Sequence, residues 1–297
     1  MSEENKRSIR ISVRNLVEFV LRSGDIDNRR SGNAQKDAML AGGRIHRKIQ
    51  KRMGSGYRAE VPLKHEVTDD EQEIVLSVEG RADGIFTENG ITVIDEIKGM
   101  YTDVARLEAP IEVHLAQAMC YGYFYCCDKD LDGIRLQLTY CNLETEEIRR
   151  FQTDRSKEEL EQWFSGVVHE YFKWARYLYH HELTRDASIR NLEFPYPYRE
   201  GQRDLVVSVY RTISRKKRLF IQAPTGIGKT LSTVFPAVRA IGEGKGDKLF
   251  YLTAKTVTRT VAEEALRILR GKGLIFTSVT ITAKEKLCPL ENCECNP

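Results

Sequence analysis

Apolar residues recur at helical spacing through Val13, Leu16, Val17 and Val20, with Ser12 placed to cap the segment and Gly24 to end it. A second helical pattern runs from about Ala34 to Met53. The rhythm then becomes that of strands, over Tyr57–Val67 and Ile74–Phe86. Glu88-Asn89-Gly90 is a tight-turn signal, so Ile91–Ile97 should return as the hairpin partner. A helix over about Ala105–Cys127, strands at Ile134–Cys141 and Glu147–Gln152, and a long helix over about Lys157–Leu183 complete this block. Thr184–Tyr198 has little periodicity and carries Pro195 and Pro197, which places a domain boundary there, between 1–185 and 186–297. Beyond it, helices at 201–214, 229–242 and 257–271 alternate with short apolar strands at 218–222, 248–252 and 275–281, the pattern of a parallel α/β sheet.

Composition bounds the class. Of 297 residues 41% are hydrophobic, enough for packed cores. No apolar run approaches the roughly 18–20 residues a membrane span requires, so no membrane partner is expected. The basic N-terminus has no apolar stretch behind it, so no secretory signal is read. The seven cysteines are an odd number, and Cys120, Cys126, Cys127 and Cys141 lie in apolar-rich segments, which points to a reducing cytoplasm rather than a disulfide framework. Charge is asymmetric. Tyr196–Pro297 holds 18 Lys and Arg against 9 Asp and Glu, the preceding residues 28 against 34, so the second part suits a polyanion.

The first block carries one set of chemical groups. Asp83 lies in Gly80-Arg-Ala-Asp83-Gly-Ile85 before the turn, and Glu96 and Lys98 lie on the returning strand, two apart and therefore on one face. Two carboxylates at a strand end suit Mg²⁺ or Mn²⁺, and a lysine beside them can orient the metal-activated water. A solvated strand with a surface ion pair carries the same residues. His46 on the preceding helix offers an imidazole, Glu60 a further acid, and Gln117 and Tyr121, four apart, share one face of the following helix.

The second block carries another. Ala223-Pro224-Thr225-Gly226-Ile227-Gly228-Lys229-Thr230 follows an apolar segment and opens a helix. Its glycines let backbone N–H groups face a phosphate, Lys229 can reach the β- and γ-phosphates, and Thr230 can hold Mg²⁺. ATP is the expected ligand.

His46, Asp83, Glu96-x-Lys98 and Gln117-x-x-x-Tyr121 resemble, in order and spacing, the PD-(D/E)xK nucleases of the RecB type. The resemblance implies a restriction-endonuclease-like domain in which the His and both acids bind the metal, Lys98 assists the nucleophilic water, and Gln117 and Tyr121 support substrate placement. The segment around Arg199 and Gln202 resembles the adenine-sensing segment of superfamily 2 helicases, and Tyr251–Arg259 their next motif. Cys288 and Cys295 resemble the first ligands of the 4Fe-4S cluster in DinG/XPD-like helicases, although a cluster needs four thiolates and Cys293 is the only other cysteine close by. Taken together, the chain resembles a bacterial DinG/XPD-like helicase with an N-terminal RecB-like nuclease domain. It departs from that pattern in having no Asp-Glu-x-His box after Thr230 and no later helicase motifs, so the expectation is a RecA-like P-loop domain that is incomplete, binds ATP without hydrolysing it, and is truncated from a longer enzyme. The resemblance implies single-stranded or forked DNA as partner and a metal-dependent (exo)nuclease in DNA repair; the alternative is a catalytically inactive DNA- or partner-binding fragment.

Overall fold

The computed structural model describes residues 6–23, 34–71, 73–224, 226–253, 259–283 and 286. They divide into two compact units, one up to Arg176 and one from Tyr177.

The first unit is built on a mixed six-stranded sheet. Strand β1 (Arg7–Ser12) leads directly into helix α1 (Val13–Val20), and α2 (Ala34–Arg52) follows. Then come β2 (Arg58–Thr68), β3 (Ile74–Glu88), β4 (Ile91–Met100), α3 (Glu112–Lys129), β5 (Gly133–Asn142), β6 (Ile148–Ser156) and α4 (Lys157–Arg190), which continues into the second unit. Ser12 caps α1 as its sequence position suggests, accepting from the Asn15 N–H at 3.1 Å. β1 is an element the hydrophobic pattern did not reveal, because its RSIRIS sequence is half polar and largely accessible. The helix expected from Ala105 starts at Glu112 instead, since Pro110 disfavours helical geometry at the residue before it; a single 3₁₀ turn, Val104–Arg106, occupies part of the interval. Asn89 and Gly90 both take the left-handed backbone that a two-residue hairpin turn needs.

The sheet has an internal break that positions everything else. β2 runs antiparallel along one edge of β3, from Arg58 opposite Ile85 to Thr68 opposite Val75. The other edge is shared by two strands. β1 pairs with it in parallel from Ile74 to Glu79, and β4 pairs antiparallel only from Gly84 to Glu88. Between these two ladders lies Gly80–Asp83. Past Asp95, β4 leaves β3 but stays paired in parallel with β5 as far as Met100. Helices cover both sides of β4 and β5: Ile45 and Ile49 of α2 pack with Ile97 and Cys141, while Gly122 of α3 lies against Ile134 and Leu136. Tyr140, Phe124, Phe164 and Leu160 are among the largest fully buried side chains. Cys120, Cys126, Cys127 and Cys141 are free thiols.

The second unit is helical among the described residues. α5 (Gln202–Ser214), α6 (Lys229–Gly242) and α7 (Arg259–Arg270) bury Val206, Leu231, Val234, Phe235, Val238, Ala265 and Leu269 in one core. The parallel sheet expected from 218–222, 248–252 and 275–281 is not formed among the described residues, which carry no strand in this unit. The side chains explain why. Phe220, Leu252, Val279 and Ile281 are 93, 89, 82 and 89% exposed, whereas a parallel ladder is stable when both of its faces are covered.

Candidate functional site

The break in the sheet collects the predicted groups. Asp83 stands on β3 where its ladder with β4 has just ended, and its Oδ2 accepts the Ile97 backbone N–H at 2.7 Å, a side chain replacing the missing rung. From α2, His46 places Nδ1 3.2 Å from Asp83 Oδ1. One turn further along α2, Gln50 donates to the Asp83 carbonyl oxygen at 3.0 Å and to Glu60 Oε1 at 3.3 Å. The helix therefore grips Asp83 by both side chain and backbone. Glu60 itself takes a left-handed backbone, φ 53°, within β2.

On β4, Lys98 Nζ meets Glu96 Oε1 at 2.7 Å and donates to Gln117 Oε1 of α3 at 2.8 Å. Glu96 and Lys98 thus share a face, as their spacing predicts. Glu96 is buried, and its second oxygen, Oε2, has no hydrogen-bond partner among the described residues. Tyr121, four residues after Gln117, lies over Gly80, where a Cβ would come within 2.6 Å of its hydroxyl.

The electrostatics follow from this crowding of charge. Burial pushes the Glu96 carboxyl up to about 7, with the neighbouring Asp83 charge adding to the effect and Lys98 and His46 opposing it. For His46, burial pulls the imidazole down, but the hydrogen bond and charge of Asp83 outweigh it and leave the value raised. Burial, then the charges of Glu96 and Asp83, raise Tyr121.

The unpartnered Glu96 Oε2, an imidazole and a second carboxylate are donor types that a divalent cation takes, so these residues fit such an ion in kind. They stand as two pairs, His46–Asp83 and Glu96–Lys98. The ligand atoms of His46, Asp83 and Glu96 do not all lie within 4.8 Å of one another, so holding one ion with all three requires a side chain to turn from its present partner.

A second polar cluster escaped the sequence reading. Asp95, fully buried, accepts from Tyr57 Oη at 3.0 Å and from Thr139 Oγ1 at 2.6 Å. Gln137 donates to Thr139 Oγ1 at 3.3 Å and accepts from Gln152 at 2.7 Å. Burial raises the Asp95 carboxyl, against the hydrogen bonds from Thr139, Gln137 and Tyr57. Gly84 makes the approach of Tyr57 possible, since a Cβ there would sit 1.8 Å from the ring. The one signal available was alternation: an acid one residue from Glu96 must face the opposite side of the strand.

In the second unit, Gly226 and Gly228 take left-handed backbone, φ 90° and 82°, and α6 begins at Lys229. Lys229 Nζ donates to the Ala223 and Pro224 carbonyls at 3.0 and 2.9 Å. Buried Gln202 donates to the Ile227 carbonyl at 2.9 Å and accepts the Arg199 backbone N–H at 3.0 Å, while the Arg199 guanidinium bonds the Gly226 carbonyl. Thr230 Oγ1 is 3.5 Å from the Tyr251 hydroxyl. Thr225, residues 254–258 of the expected second helicase motif, and Cys288, Cys293 and Cys295 lie outside the described residues.

No family model matches the chain. A stretch of 47 residues, 16% of the chain, is 45% identical to the probable ATP-dependent helicase MJ0942 of Methanocaldococcus jannaschii, and it spans 7% of that protein's length. This is a local, helicase-like relationship. The crystal structure of SSO0001 superposes on 57% of this chain and 77% of its own, at 18% identity and a TM-score of 0.36, below what a shared fold requires. Among the described residues no helix is long and apolar enough to cross a membrane.

Proposed function

We propose that the first unit is a metal-dependent DNA nuclease and that the second binds ATP as part of a helicase motor, the parent protein acting in DNA repair. The observation that carries the hydrolytic reading is the buried, unpartnered Oε2 of Glu96, a carboxylate that feels the charges of the His46–Asp83 pair. His46, Asp83 and Glu96 would hold Mg²⁺ or Mn²⁺, which when bound supplies Lewis acidity to the scissile phosphate and lowers the pKa of its water. The bonds described support the following part for the chain's own residues. Lys98, held between Glu96 and Gln117, positions the attacking water and steadies charge developing on the phosphate. Gln117 fixes the Lys98 amine, and Tyr121, seated over Gly80, borders the same opening in the sheet. Gln50 keeps α2 and its His46 against Asp83.

Incubating the purified chain with labelled single-stranded DNA and Mn²⁺ tests this. Wild type should release shortened products, and Lys98→Ala should lower the rate about 10²–10³-fold. Equal cutting by both removes the assignment. The nucleotide reading rests on the loop Ala223–Thr230 with Lys229 at its helix start, on the clamp by Arg199 and Gln202, and on the helicase-like stretch. A second reading, an inactive DNA- or partner-binding protein, is favoured by the separation of the metal ligands into two ion pairs. Failure of Mn²⁺ to bind wild type in calorimetry would select it.

A further inference from the structure

Helix α2 does more than carry His46. From Arg44 to Arg52 it holds five cationic side chains (Arg44, Arg47, Lys48, Lys51, Arg52) and no acid, and all five are exposed. At 3.6 residues per turn, their positions can be placed round the axis relative to His46. Gln50 lies about 40° away on the site side, and the buried Ile45 and Ile49 lie about 100° and about 60° in the opposite sense. Arg47, Lys51 and Arg44 follow Gln50 at about 100°, 140° and 160°, a stripe that begins beside the site face at Arg47 and runs round toward the back of the helix. Lys48 and Arg52 continue the stripe at about 200° and 240°, and both are committed to Glu146: Lys48 by an ion pair and Arg52 at 3.9 Å. Among the described residues Arg44, Arg47 and Lys51 pair with no carboxylate, and all three are exposed.

Their placement answers an electrostatic problem. Asp83, Glu96 and Glu60 make the opening in the sheet acidic, and by themselves they repel a chain of phosphates. Three cations of the same helix, with no carboxylate partner among the described residues and with Arg47 nearest the site, provide the opposite field. From Arg44 to Lys51 the axis rises about 10 Å, the length over which one strand of a duplex presents about three phosphates. Two of the three are arginines, whose planar guanidinium matches phosphate oxygens in pairs.

We infer that Arg44, Arg47 and Lys51 form a backbone track for the nucleic-acid strand, delivering successive phosphates along α2 to the His46–Asp83 end of the site. Resting on the nuclease reading for its destination, the track is nevertheless a binding surface that functions without hydrolysis. These contacts are to phosphates, so they set register and affinity without reading sequence.

The test is equilibrium binding of a fluorescent single-stranded oligonucleotide to the full chain in EDTA over a series of salt concentrations. Glutamine keeps helix propensity close to that of the basic residues, and thermal melts verify that each variant folds. The Arg44→Gln/Arg47→Gln/Lys51→Gln variant should weaken binding, and the slope of log affinity against log salt should become shallower by about 2, roughly 0.7 per lost phosphate contact. Lys48→Gln should leave the slope unchanged. An unaltered slope in the triple variant overturns the inference, as does a loss of about 0.7 from Lys48→Gln alone. Polyglutamate binding as tightly as DNA would equally overturn the choice of nucleic acid. The two readings separate cleanly. A slope change without any Mn²⁺-dependent cutting by wild type keeps the track and removes the nuclease; cutting by wild type with no slope change does the reverse.

Discussion

Asp83 and Ile97 are joined across the break between β3 and β4 by a 2.7 Å bond from the Ile97 N–H to the Asp83 carboxylate. One oxygen of Asp83 thereby ties the two strands, while the other faces His46. The two duties can be separated by substitution. Asp83→Ala should cost about 1–3 kcal/mol, because the Ile97 N–H loses its acceptor. Asp83→Asn keeps an acceptor for that N–H, so it should melt close to wild type and still lose most of its affinity for Mn²⁺. Denaturant melts and calorimetric titration read the two effects independently. Equal destabilisation by both variants would show that the bond to Ile97 contributes nothing distinct.

Acidity offers a second handle. Glu96 titrates at about 7 in the folded protein against an ordinary value of 4.5. Between those values the folded state holds more protons than the unfolded one, so metal-free stability should fall as pH rises from about 4.5 to about 7. His46 acts in the same direction: raised by Asp83, its contribution is fully present below its ordinary value of 6.5 and is lost as pH climbs through the folded value. A divalent ion requires both groups deprotonated, so Mn²⁺ should raise the melting temperature far more at about pH 8 than at about pH 5.5. Thermal scans across this range decide it, and a metal-induced shift that is the same at both ends would count against the site.

Gly84 and Tyr57 supply a packing test. A methyl at Gly84 would overlap the Tyr57 ring, so Gly84→Ala should cost about 2–3 kcal/mol or more by forcing the ring off Asp95. Adding Tyr57→Ala should make the Gly84→Ala change much cheaper, a coupling that a double-mutant cycle measures directly. Simple additivity would mean the ring is not what excludes the side chain.

At the phosphate loop, Gln202→Ala removes the bonds to Ile227 and Arg199 that hold the loop from behind. Nucleotide affinity should drop about tenfold, an effect of about 1.4 kcal/mol. Lys229→Ala should abolish binding altogether. Fluorescent ATP-analogue titrations report both, and an unaffected Gln202→Ala protein would show that the loop keeps its shape unaided.

How far the sequence spoke for itself differed between the units. In the first, strands with strong alternation and the Asn89-Gly90 turn were legible, and so was the shared face of Glu96 and Lys98, because period-two geometry fixes it locally. β1 was not, since a short half-polar strand has no periodic signal and gains its place only by pairing with β3. Nor was the break between β1 and β4 along β3, which depends on long-range pairing. Gln50 could have been noticed as the residue one turn beyond His46; Asp95 and Tyr57 could not be joined without knowing that Gly84 lets the ring through. In the second unit the helices were legible from their amphipathic stripes. Short apolar runs were read as strands because hydrophobicity signals a preference for cover, and it does not say whether cover is present.

The vacancy on one edge of β3 between Glu79 and Gly84 has a mechanical consequence. Elsewhere in the sheet, moving neighbouring strands apart breaks backbone rungs, several at a time. At Asp83 there is one side-chain tether, so the cleft can widen by a small rotation of a carboxylate while both flanking ladders stay intact. The scaffold is thus stiff around its rim and compliant at its centre, which would let the His46–Asp83 and Glu96–Lys98 pairs re-form around the proposed ion without disturbing the fold.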